Sequence, residues 1–314
     1  RARPGRWIAG AGTTMAAAGE GLTALRVAGV PEHFNAPFHL AKERGLYAAK
    51  GVDFQWTSVP QGTGAMAQAL EEGKVDLAVM LSEGAVAKAA AGGPMRLVGT
   101  YVQSPLRWGV HVKKGRSLSF PADVKGKVFG VSRLGSGSHL MAHVFAHQCG
   151  WDLAQDAPLN VVGTLGDART HMANGTIDVW FWEKFTTKHL VDSGEWDIIG
   201  EVPTPWPCFV FVASESAIAE RGDAIRKVIE ATKGVCDEFK ANAGGSTIEY
   251  VSKNHAVSNA DAEEWLSGTR WACACEVAEE TLRKTQEALI TIGQLKEAAP
   301  SEKIVDSSLA SLVA

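Results

Sequence analysis

Residues that could do chemistry are concentrated in this chain where short apolar runs stop. The run at residues 177–182 ends in Trp182 and Glu183, one flat apolar surface beside one carboxylate. An earlier run, residues 75–81, ends in Ser82 and Glu83. A carboxylate in such a position can hold a cationic group through charge-assisted hydrogen bonds. Its plainer role is to sit at the N-terminus of the following helix, which favours negative charge. Trp182 offers a face to a flat or cationic group. Between the two runs lies a loop, SRLGSGS at residues 132–138. Its backbone N–H groups, the hydroxyls of Ser136 and Ser138 and the charge of Arg133 could bind a carboxylate, sulfonate or phosphate. The loop lacks the G-K-[ST] ending of a Walker loop, and a bare turn with a helix cap would read the same way. A third candidate is the run from Glu32 to Asn35, where Phe34 can stack on a flat ligand and His33 and Asn35 can hydrogen-bond to it. The plainer reading makes it a loop with Asn35 capping the next helix. Trp206 and Phe209 could close an aromatic wall, or pack a lobe junction.

Both glutamates follow the same device. Gly73-x-x-Asp76 precedes one apolar run and Gly175-x-x-Asp178 the other, which suggests two similar lobes facing each other. Around them strand and helix patterns alternate. Strands are expected at residues 25–30, 52–59, 75–81 and 96–101, with helices at 38–50, 64–72 and 82–91. The helix at 38–50 would turn Leu40, Ala41, Leu46, Tyr47 and Ala48 inward and stop before Gly51. This order predicts a parallel sheet with right-handed crossovers. A second set has strands at 108–113, 127–131, 159–162, 177–182 and 197–200, and helices at 138–148, 167–173 and 184–193; residues 204–207, too proline-rich for a central strand, then run into 208–213. The run 177–182 is apolar on both faces, so it should be a central strand covered on each side. Its C-terminal end should open on the crevice where such sheets bind ligands. From Glu215 onward the chain reads as almost all helix, with Ser258 and Asp261 marking one capped helix start. Breaks at 103–107 and 203–208 bracket the second set. They divide the chain into lobe one, residues 21–106 plus 212–314, and lobe two, residues 107–211, with two crossing segments as hinge.

Composition narrows the function classes. A chain of 314 residues is long enough for two domains, each with a core of its own. A formal net charge of -4 gives no electrostatic case for nucleic acid or an anionic membrane. No apolar run approaches a membrane span, so insertion is not expected. The five cysteines, Cys149, Cys208, Cys236, Cys273 and Cys275, are odd in number and follow no zinc spacing. They read as buried thiols, Cys273 and Cys275 on a C-terminal helix, and no metal is expected. Residues 1–20 are rich in Arg, Ala and Gly, as an organelle targeting remnant would be, or form a disordered tail. The odd thiols and the lack of an intact export signal favour an intracellular or organellar compartment, with the periplasm as the alternative.

The element order, together with PFHLAKERGLYAAKGVDFQW, EEGKVDLAVML, VKGKVFG and the late LITIGQL, resembles the type II periplasmic-binding-protein fold. More narrowly the chain is similar to the group containing alkanesulfonate-, taurine- and nitrate-binding proteins and the fungal thiamine-pyrimidine synthase. The segments IDVWFWEKFTTKHL and IIGEVPTPWPCFV also resemble further members of that group. The resemblance covers nearly everything after residue 21. It implies an α/β, two-lobed fold, each lobe a mostly parallel sheet flanked by helices. It also implies a solute-binding protein that closes over a small organic ligand, zwitterionic or anionic, with a membrane transporter as a partner to consider. The alternatives are an intracellular enzyme of precursor metabolism on the same fold, or a non-catalytic binding subunit of a larger assembly. Alignment of the G-x-x-D strand places Met80 where the synthase has its cofactor lysine and Gly84 where it has its reacting histidine. The synthase's cysteine-rich stretch would fall at residues 206–211, where Cys208 stands alone. Without the lysine amine no Schiff base forms, so no cofactor and not that chemistry are expected.

Overall fold

The computed structural model describes residues 21–255 and 257–314, so the expected tail at 1–20 lies outside the described residues. The strands run in chain order as β1 (Thr23–Gly29), β2 (Val52–Ser58), β3 (Leu77–Leu81), β4 (Met95–Val102), β5 (Arg107–Lys113), β6 (Phe129–Val131) and β7 (Leu159–Val161). They continue as β8 (Val179–Glu183), β9 (Trp196–Pro203), β10 (Phe209–Ser214), β11 (Trp271–Ala274), β12 (Glu276–Ala278) and β13 (Ser311–Val313). Two sheets carry the architecture, β11-β4-β10-β3-β1-β2 and β7-β6-β8-β5-β9.

The first sheet is mixed where the strand–helix alternation predicts a parallel one. β1 lies parallel to β2 and β3, but β10 runs antiparallel between β3 and β4. Every residue of β10 is buried, so this late strand suits an interior place as well as any early one. In the second sheet β8 is the middle strand, parallel to β6 and antiparallel to β5. Its Val179, Trp180 and Phe181 are buried, in keeping with the continuous apolar run.

The strands of the second sheet all fall between residues 107 and 203, and the chain enters and leaves that interval through two segments that lie side by side. Leu106 N donates to Thr204 Oγ1 and Thr204 N donates back to Leu106 O, each at 3.0 Å. Cys208 N donates to Ser104 O at 3.1 Å. Pairing the two crossings in this way satisfies backbone groups that would otherwise be buried without partners.

Three helical expectations are corrected. The helix at 38–50 is two pieces, Ala36–Glu43 and Leu46–Ala49, because Gly45 takes a left-handed φ of 69° and breaks the ladder. Of its expected inner face, Ala41 and Tyr47 are buried, Leu40 and Leu46 are half-buried, and Ala48 is exposed. The helix at 184–193 is confined to Lys188–Asp192. Ahead of it the Glu183 carboxylate accepts from Thr186 N at 2.7 Å and the Glu183 carbonyl from Thr187 Oγ1 at 3.0 Å, which holds residues 184–187 as turns. The C-terminal region also contains strands, and Cys273 sits on β11 with Cys275 just after it, not on a helix. A four-residue strand of Trp, Ala and Cys has no period of its own; the free edge of β4 makes it a strand. The helix Asn259–Gly268 is capped as expected, Ser258 Oγ accepting from Asp261 N at 3.1 Å.

Candidate functional site

The repeated G-x-x-D device does the same work twice. Gly73 and Gly175 adopt left-handed φ angles of 64° and 73° that end the preceding helices. Asp76 Oδ2 then accepts from Arg26 N at 2.8 Å while Asp76 N donates to Arg26 O at 2.8 Å. Asp178 Oδ2 accepts from Val128 N at 3.1 Å while Asp178 N donates to Val128 O at 2.8 Å. Each aspartate thus sets its strand in register beside a neighbour and pairs with arginine, Asp76 with Arg26 and Arg221, Asp178 with Arg116. The two strands deliver their following glutamates at matching places.

One of those glutamates reaches a cavity of about 740 Å3. One wall comes from Pro31, Glu32, Gly62, Thr63 and Leu81, beside the first sheet. The other comes from Trp108, Ser132, Arg133, Ser136, Ser138, Thr164, Trp182, Glu183 and Thr186, beside the second. This size and mixture of apolar and convergent polar groups suit a small-molecule site.

Glu183 is buried in the cavity wall, held by the N–H and Oγ1 of Thr186, each 2.7 Å from Oε2. Burial raises its pKa above the ordinary value, against the lowering effect of the Thr186 bonds and the Arg107 charge. Trp182 is half-buried and stacks on buried Trp180, ring centroids 5.4 Å apart and planes 15° from parallel. Glu32 is half-buried, and its carboxylate has no hydrogen-bond or ion-pair partner among the described residues. Burial, and then the negative charge of Glu183, push its pKa up to about 8. Glu32 is the cavity residue that sequence reasoning passed over in favour of its three neighbours. The 3-10 turn His33–Asn35 sends those three inward and leaves Glu32 on the cavity side, an arrangement no local pattern announces.

Arg133 supplies positive charge to the same cavity. It is exposed, and its guanidinium lies 2.9 Å from the point a Cβ on Gly64 would occupy, so the bare backbone of the opposite wall makes room for it. In the adjoining loop Ser136 Oγ accepts from His139 N at 3.2 Å as helix cap. Ser138 Oγ accepts from Ser132 N at 3.0 Å and lies 3.0 Å from Ser136 Oγ. Both hydroxyls border the cavity while serving the helix start.

The remaining candidates stand behind the walls. Ser82 is buried and donates to Pro207 O at 2.5 Å. Glu83 is buried and accepts from Trp206 Nε1 at 2.9 Å; burial pushes its pKa to about 7 despite that bond. Trp206, also buried, ties Glu83 to the second crossing and does not border this cavity. His33 packs against Phe34, Phe185 and Trp265, and Phe34 against Phe209. Asn35 does not cap the next helix; its Nδ2 donates to Val30 O at 2.8 Å. Met80 is fully buried in β3. Gly84 packs so close to Thr63 that a Cβ would stand 2.4 Å from Thr63 Cγ2. Burial, and then the charges of Glu83, Glu32 and Glu183, hold the Cys208 thiol well above its usual range, which makes it a poor nucleophile. Among the described residues no group of three or more metal-ligating side chains converges, and no helix is long and apolar enough to cross a membrane.

Comparison with known proteins bears on the family and the fold. Residues 31–242 match the family model described as NMT1/THI5 like. Comparison with curated proteins gives no match. Among solved structures, the Candida albicans CA3427 gene product, described as defining a new family with the generic periplasmic binding protein fold, is 28% identical with a TM-score of 0.80, covering 93% of this chain and 99% of its own. The aliphatic sulphonate binding protein SsuA of Escherichia coli is 16% identical with a TM-score of 0.74, over 93% and 94% of the two chains. The alkanesulfonate-binding protein SsuA of Xanthomonas axonopodis pv. citri, bound to MOPS, is 17% identical with a TM-score of 0.73, over 94% and 100%. With two sheets joined by paired crossings and a cavity bordered from both, the chain belongs to the NMT1/THI5-like family and has the two-lobed periplasmic-binding-protein fold.

Proposed function

We propose that this chain is a solute-binding protein whose lobes, residues 21–106 plus 212–314 and residues 107–211, close over one small organic ligand. A single observation carries the reading: two carboxylates, Glu32 and Glu183, and a cationic loop at Arg133 border the same cavity. Such a site suits a zwitterion whose cationic group lies against the acids and Trp182, and whose acidic group meets Arg133 and the backbone around Ser136 and Ser138. The sulfonate-binding relatives fit the anionic half of this description, and the acid pair adds the other half. A membrane transporter that receives the ligand is the partner this reading implies.

Native mass spectrometry of the purified protein would identify a retained ligand, and calorimetry would then give its affinity. For a ligand carrying a protonated nitrogen, Glu183→Gln keeps size and hydrogen-bonding capacity but removes charge, and should weaken binding about 10- to 100-fold. Equal affinity in the variant would remove Glu183 from the site.

A further inference from the structure

Two of the five cysteines stand away from the cavity and face each other. Cys236 lies on the long helix Glu215–Ala241 and Cys273 on β11. Both are buried, and their Sγ atoms are 2.8 Å apart. The approach has its own backbone arrangement. Cys273 adopts a φ of 43°, a left-handed conformation that residues with a Cβ enter at a cost. β11 loses register against β4 between Trp271 and Ala274, as at a bulge. On β4, Gly99 has a φ of 154°, and a Cβ there would stand 2.2 Å from the carbonyl oxygen of Ala274. A bulge on one strand and a glycine on its neighbour together allow the Cys273 side chain to turn inward to Cys236.

We infer that Cys236 and Cys273 form a redox-active dithiol that closes into an intramolecular disulfide by exchange with a small-molecule disulfide. Bonded sulfurs stand about 2.05 Å apart, so a shift of about 0.8 Å completes the bond. In the first step the Cys273 thiolate attacks one sulfur of the small disulfide and expels the other as a thiolate, which takes up a proton. In the second step the Cys236 thiolate attacks the Cys273 sulfur of this mixed disulfide and expels the second small thiolate. Two protein thiols are oxidised to one disulfide, and the small disulfide is reduced to two thiols. Cys273 reacts first because it borders a surface groove of about 520 Å3, together with Cys275, Arg226 and Lys233; Cys236 does not border that groove. Burial holds the Cys236 thiol well above its ordinary range, so the second step is slow. Once closed, the bond ties the helix to the edge strand across 37 positions of chain.

The test incubates the intact protein with glutathione disulfide, with and without sub-denaturing urea, followed by alkylation and non-reducing peptide mapping. The expected result is a linked pair of peptides carrying Cys236 and Cys273. A melting temperature raised by about 5–10 °C, and returned to its starting value by dithiothreitol, should accompany it. Cys236→Ala should abolish the rise, whereas a Cys149→Ser, Cys275→Ser double variant should keep it. Both cysteines still alkylated after exchange under either condition, or linkage only to other cysteines, would overturn the inference. Because the map is made on the parent chain, poor folding of a variant leaves this outcome readable.

Discussion

At the scale of single residues, the cavity carries two acids with different support. Glu183 has the Thr186 bonds to stabilise its charge, whereas Glu32 has none among the described residues and faces the charge of Glu183. The pH consequence follows from the direction of the shift. Glu32 ionises near 4.5 ordinarily and at about 8 in the folded chain, so between those values the folded state holds a proton that the unfolded state has lost. Stability must therefore fall as pH rises through that window and level off above it. Glu32→Gln should flatten this part of the melting-temperature profile, though not abolish it, since Glu83 is shifted the same way to about 7. The variant should melt higher than the parent at pH 8; an unchanged profile in a thermal scan across pH would show that Glu32 is not so confined. A cationic ligand that displaces the Glu32 proton should also bind more tightly as pH rises toward 8. Of these two acids, Glu183 was legible because a carboxylate just past an apolar strand has few ordinary places to go. Glu32 was not, because the fate of residues 32–35 depends on the aromatic surfaces of Phe185, Phe209 and Trp265, far away in sequence.

At the scale of elements, the two G-x-x-D motifs make unequal contributions. The Asp76 side chain is 2% exposed and bonds two arginines as well as the β1 backbone, while that of Asp178 is 17% exposed and pairs with one arginine. Asp76→Ala should cost about 2–4 kcal/mol in urea unfolding, because it removes a buried carboxylate that joins two arginines to the β1 backbone, and Asp178→Ala less. Equal losses would mean that local register, and not the arginine pairs, dominates. The motif could be read in sequence because glycine cap, aspartate and apolar strand are consecutive. The place of β10 could not, because an all-apolar strand carries no mark of the neighbours it joins. The broken helix at Gly45 belongs to a middle case: a glycine inside a helical pattern permits a break, and packing decides whether one occurs.

At the scale of the molecule, two crossings that bond to each other make a natural axis for lobe rotation. Closure by rotation at residues 103–106 and 204–208 should reduce the radius of gyration when ligand saturates the site, with no change in secondary structure. Small-angle scattering with and without the ligand found by mass spectrometry would check this, and an unchanged radius would count against hinge closure. Helix Asn259–Gly268 packs on His33 and Phe34 through Trp265, while its Glu264 accepts from Arg107 and Lys184, each at 2.7 Å, so these ion pairs reach across to the second sheet and would rearrange on closure.

The sequence by itself determined the class of fold, the central place of β8 and the delivery of Trp182 and Glu183 to a cavity wall. Each depends on periodicity, on consecutive turn chemistry, or on an apolar run whose burial needs cover on both faces. The tertiary structure alone decided that Glu32 and not His33 borders the cavity, that Glu83 is bound to Trp206, and that Cys236 meets Cys273. Those outcomes are contacts between segments from tens to more than a hundred residues apart. Side-chain packing selects them from several locally equivalent arrangements, so no short window of sequence contains them.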